Sequence, residues 1–131
     1  GGTRTASITG AYVALADAAT YLSSHGLIAK GNPLKTSIAA ISVGVIDGEV
    51  RLDLPYEEDS RAEVDMNVIC TGDGRLVEVQ GTAEGEPFDR AVMAGLLDMG
   101  QLGCVQLSKV QEEVLAAPYP FPAKLGSGNY A

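Results

Sequence analysis

From about Thr5 to Ser24 nearly every position is small, apolar or hydroxyl-bearing, and Asp17 is the one charge. Alanine-rich composition favours a helix, and His25-Gly26 supplies its stop. A helix with no charged face is predicted to be buried, its small residues pressed against a sheet. His25, the only histidine, falls at the last turn, where it complements the helix dipole.

After the Gly31-Asn32-Pro33 loop the pattern changes period. Ile38 to Ile46 is apolar on both faces, which marks a central strand. Asp47-Gly48 is a hairpin signal, and beyond it Val50, Leu52 and Leu54 alternate with Glu49, Arg51 and Asp53, so the second arm has one wet face. A second hairpin is expected from Glu63 to Cys70, through Thr71-Gly72-Asp73-Gly74, to Leu76–Gln80. In its first arm Val64, Met66, Val68 and Cys70 share one face, so Asp65 and Asn67 project together from the other. Residues 81–87 are read as a loop. Helical spacing then begins at Phe88 and runs through Val105, Val110 and Val114, with a break expected near Gly100 to Gly103 and an end at Pro118.

Helix, antiparallel strands, helix is an α+β arrangement, an antiparallel or mixed sheet with helices packed on it. Residues 1–117 make one domain or part of one, and residues 118–131, rich in Pro and Gly, are expected to be an extended or mobile tail. The 131 residues, 46% of them hydrophobic, suffice for a real core. A formal charge of −8 argues against a simple nucleic-acid binder, whose phosphate affinity comes from clustered Lys and Arg. No apolar run approaches the roughly 18 residues of a membrane span, and the start lacks a secretory pattern, so a soluble cytoplasmic protein is expected. Cys70 and Cys104 lack metal-ligand spacing and read as small buried hydrophobes without a disulfide. With no initiating methionine, the chain reads as a piece of something longer.

Two constellations carry chemistry. Gly1-Gly2-Thr3-Arg4 stands where the first helix begins, and backbone amides there can cradle an anion. Arg4 in a first turn is unfavourable by roughly 0.3–1 kcal/mol unless an anion or carboxylate faces it. Its alternative is a place in solvent or a pair with an acidic side chain. The second constellation is acidic: Glu57, Glu58, Asp59, Glu63 and Asp65, with only Arg61 nearby to balance them. Glu57 and Glu58 are expected in water. Asp65, inside a strand between Val64 and Met66, is disfavoured by propensity and asks for a reason, and Asp59 at the strand's mouth converges with it. Two carboxylates without His or Cys suit Mg²⁺ or Mn²⁺ better than Zn²⁺. A lone aspartate serves equally as proton donor to a leaving oxygen, and both roles stay open.

Three segments, residues 1–11 (GGTRTASITGA), 58–68 (EDSRAEVDMNV) and 77–88 (VEVQGTAEGEPF), together resemble the ribonuclease PH family, in the family's order and over nearly all of residues 1–117. The resemblance implies a phosphate-dependent 3′ exoribonuclease in which inorganic phosphate attacks the terminal phosphodiester of RNA, such as a transfer-RNA precursor, and releases a nucleoside diphosphate. It implies that Gly2, Thr3 and Arg4 form the phosphate-binding turn and that Asp59 and Asp65 are the catalytic or metal-binding pair. It also implies half of a duplicated β-α-β fold, assembly in rings of six, and a second, N-terminal half; because the charge-poor helix at 5–24 would expose apolar surface without that half, the chain alone is expected to be inactive. The competing readings are a non-catalytic RNA-binding or scaffold subunit of an exosome-like ring, against which Arg4, Asp59 and Asp65 speak, and a metal-dependent hydrolase, which has no use for free phosphate.

Overall fold

A computed structural model describes residues 2–117, so the expected tail at 118–131 lies outside the described residues. The elements are α1 (Thr3–Ser24), β1 (Ile38–Ile46), β2 (Glu49–Leu52), a single turn α2 (Tyr56–Asp59), β3 (Val64–Thr71), β4 (Leu76–Ala83) and α3 (Arg90–Ala116). The sheet is antiparallel throughout in the order β2-β1-β3-β4. β1 is thus central, as its unbroken apolar run requires.

The turn between β1 and β2 has Asp47 at φ 53° and Gly48 at φ 74°, the pair of left-handed residues that matches the strand twist of a two-residue hairpin. On one face of the sheet Ile41, Val43 and Val45 of β1 join Val64, Met66, Val68 and Cys70 of β3 in the main core, closed by Leu96 and Cys104 of α3. α3 does not break at Gly100 to Gly103. Both glycines are buried in an unbroken helix, because a Cβ at Gly100 would lie 2.6 Å from Val68 Cγ2 and one at Gly103 2.8 Å from Leu52 Cδ1. They are the points where helix and sheet touch. α3 stops at Ala116, and its C-cap Ala117 is extended at ψ 149°, as the residue before a proline must be.

The opposite face carries α1. Only Thr5, Ala16 and Ala19 of that helix are buried, so the expectation of a buried helix fails for this chain. One stripe meets the sheet while Leu15 and Leu22 face outward. At the uncovered part of the β1 edge, where β2 is too short to pair, Thr9 of α1 exchanges two hydrogen bonds with the backbone of Ala40, and the Gln111 amide of α3 donates to Thr9 O and Ile38 O, each at 2.9 Å. The loop expected to start at Gly81 is also corrected: β4 continues to Ala83, with Gly81 paired to Met66. A Cβ at Gly81 would lie 2.9 Å from Met66 Cε, so glycine is what lets the strand pass that side chain.

Candidate functional site

Residues directly opposite in an antiparallel ladder share a face. β1 places Ser42 opposite Asn67 and Gly44 opposite Asp65, and β3 places Ile69, Asn67 and Asp65 opposite Glu78, Gln80 and Thr82. The α1 face of the sheet therefore carries a polar patch of Ser42, Asn67, Asp65, Glu78, Gln80 and Thr82, bordered by buried Ala40, Ile46 and Ile69, in contrast to the apolar α3 face.

The start of α1 lies on it. Gly2, the N-cap, adopts φ 75°, a left-handed conformation that glycine takes without steric cost. It has no side chain to cap the helix, so the first-turn amides point outward without intrahelical acceptors. Thr5 Oγ1 donates to Gly2 O at 2.9 Å. A Cβ at Gly2 would lie 3.8 Å from Ser42 Oγ and 4.0 Å from Asp53 Oδ1, which seats the turn over the Ser42–Asn67 row, one step from the row of Asp65. Thr3 is exposed. Arg4 reaches away from that row: its Nη2 donates to Glu78 Oε1 at 2.6 Å. The carboxylate that a first-turn arginine calls for is thus a residue of β4.

Asp65 is half-buried. A small satellite core of Ile46, Leu54 and Ala62 lies beside it, made possible by Gly44, its register partner, where a Cβ would stand 2.6 Å from Leu54 Cδ1. Burial first, then the negative charge of Asp59, then that of Glu84, hold the Asp65 carboxyl above the usual carboxylate range. Asp59 is the last residue of α2, and its negative charge is felt at Asp65. Among the described residues no three acidic, His or Cys side chains gather closely enough to hold a metal alone. Asp59 and Asp65 by themselves would leave a bound cation to take most of its ligands from water and phosphate, a coordination that Mg²⁺ accepts.

In the rest of the acidic cluster Glu57 is exposed, as expected, whereas Glu58 departs from expectation. Glu58 is not simply solvated: its Oε1 accepts from Arg51 Nη1 at 2.5 Å, and Glu63 Oε1 accepts from the Gly48 amide at 3.0 Å. Arg61 turns its Nε to the Glu57 backbone carbonyl at 3.0 Å, so the balancing cation is Arg51, which the hairpin carries back to α2. Sequence reasoning missed Glu78, Ser42 and Glu84 as neighbours of the site. The alternation in β4 marks Glu78 as one face of a strand, but which face depends on the register with β3. His25 behaves as expected, its Nδ1 2.9 Å from Tyr21 O at the end of α1.

The sequence profile of the 3′ exoribonuclease family, domain 2, matches residues 36–103. The chain is 66% identical over 120 residues to ribonuclease PH of Saccharopolyspora erythraea, covering 92% of this chain and 48% of that protein. It is 64% identical to ribonuclease PH of Nocardia farcinica (92% and 47%) and 62% identical to that of Mycobacterium tuberculosis (92% and 46%). The chain spans about half the length of these curated relatives. In structure it is similar to rice Rrp46, with a TM-score of 0.56 at 20% identity over 65% of this chain and 40% of that one, a likeness of fold.

Proposed function

This chain belongs to the 3′ exoribonuclease family, and on that footing we propose that it contributes the phosphate turn and the acidic pair of a phosphorolytic 3′-to-5′ exoribonuclease. The observation that carries the reading is the seating of Gly2 beside Ser42, whose register partner Asn67 stands two residues from Asp65 on the same face. An anion on the first-turn amides then lies within reach of a phosphodiester held near Asp65.

In the proposed reaction an oxygen of inorganic phosphate, held by the amides of Gly2 and Thr3 and by Arg4, attacks the phosphorus of the terminal RNA linkage. A P–O bond forms to the phosphate, the P–O3′ bond to the preceding nucleotide breaks, and that 3′ oxygen takes up a proton. The products are a nucleoside diphosphate and an RNA shorter by one nucleotide. Mg²⁺ or Mn²⁺ bound by Asp59 and Asp65 would neutralise charge developing at the phosphodiester. An Asp65 carboxyl held above its ordinary range suits both roles left open by the sequence, since it keeps its proton more readily and gains most from a cation.

The substrates we assign are RNA 3′ ends, including transfer-RNA precursors, in the cytoplasm. The apolar residues that α1 turns outward support a further part of the proposal: that activity needs the counterpart of the relatives' other half, in a ring of six. Among the described residues no helix is long and apolar enough to cross a membrane. The test is RNA shortening by the intact native protein with Mg²⁺, with and without phosphate. Shortening that requires phosphate supports the reading; shortening that proceeds equally without it defeats it.

A further inference from the structure

Arg4 and Glu78 are 74 positions apart, yet they form the one direct ion pair between α1 and the sheet among the described residues. The pair points the wrong way for the proposed chemistry. Glu78 shares its row with Ile69, whereas Asp65 shares its row with Thr82, so the two carboxylates stand four residues apart along the strand direction, about 13 Å at 3.3 Å per residue. Gly2 sits over the row between them. A phosphate on the amides of α1 would lie over that middle row, so an Arg4 guanidinium that turned to it would leave Glu78.

From this geometry we propose that Glu78 is a latch that parks Arg4 when no phosphate is bound. It answers the unfavourable placement of a cation at a helix N-terminus, and a phosphate entering the turn takes its place. Side chains 48% and 42% exposed make such a pair weak, so the exchange is readily reversible. The latch sets how much phosphate the turn needs before Arg4 commits to it. A residue that merely supported the fold, or that oriented Arg4 toward phosphate, would have the opposite effect when removed. The inference rests on the proposed phosphate turn.

The experiment is titration of inorganic phosphate into the intact native protein by calorimetry, comparing wild type, Glu78→Gln, Glu78→Ala and Arg4→Ala, with melting temperatures confirming that each variant is folded. Both Glu78 variants are expected to bind phosphate about threefold more tightly than wild type, the factor that loss of an exposed competing ion pair gives, and Arg4→Ala to lose most of the binding. Phosphate affinity that is unchanged or weaker in the Glu78 variants, while Arg4→Ala still abolishes it, overturns the latch and leaves the phosphate turn standing. Wild type that does not bind phosphate, or binds it equally without Arg4, overturns both.

Discussion

Thr9 and Ala40 are joined twice: the Thr9 hydroxyl donates to the Ala40 carbonyl at 3.1 Å and accepts from the Ala40 amide at 3.0 Å. One side chain of α1 thus does for β1 what a paired strand would do, at a residue that is 2% exposed. The contact also sets where α1 starts, since the helix pinned at Thr9 brings Gly2 over Ser42 one and a half to two turns earlier. Thr9→Val keeps the shape and removes both bonds. It should destabilise the protein by about 2–4 kcal/mol, because two buried backbone groups are left unpaired, whereas Thr9→Ser should recover most of the loss in thermal unfolding.

Asp65 should trade stability for function. Its carboxyl is raised in the folded chain by burial, Asp59 and Glu84, so the folded state holds this proton more tightly than the unfolded state. The associated stability is present at low pH and is lost as pH rises from the ordinary carboxylate range through the raised value. Asp65→Asn should therefore melt higher than wild type at pH 7 but not at pH 3, while turnover falls by roughly a hundredfold or more. Equal melting shifts at both pH values would contradict the assignment.

Gly100 touches Val68 where no side chain fits, a Cβ there lying 2.6 Å from Val68 Cγ2 and 2.8 Å from Val68 Cβ. Gly100→Ala raises helix propensity by about 1 kcal/mol but forces α3 from the sheet. The net effect is expected to be a loss of about 1–3 kcal/mol, the range of overpacked cores, read by denaturant unfolding.

These glycines show where sequence reasoning reaches its limit. Propensity marks Gly100 and Gly103 as a break, since glycine weakens an isolated helix; the sheet beneath reverses that sign. The central place of β1, the hairpin at Asp47-Gly48 and the shared face of Asp65 and Asn67 were legible because each is a local pattern of period two or a turn signal. The partners of Arg4 and Glu58 were not. Glu78 meets Arg4 only through the β3–β4 register, and Arg51 meets Glu58 only because a hairpin folds back on α2. Local patterns define elements; ion pairs across them depend on how the elements stack.

Cys104 is predicted to be chemically silent in the fold. Burial is the first cause and the neighbouring Cys70 the second, and together they push its thiol up to about 12, far above the pH at which thiolates normally form. Alkylation by iodoacetamide at pH 8 should leave Cys104 unmodified in the native protein and label it once the chain is unfolded in guanidinium. Rapid native labelling would contradict the packing of α3 on β3.

If phosphate is the nucleophile, free phosphate becomes part of the product. The direct measurement is incubation of the intact native protein with RNA bearing a single-stranded 3′ end, Mg²⁺ and isotopically labelled inorganic phosphate, followed by separation of the nucleotides released. Nucleoside diphosphates carrying the label in the β position are expected, and none from Arg4→Ala or Asp65→Asn. Unlabelled nucleoside monophosphates would mean that water is the nucleophile, and the claim would fall.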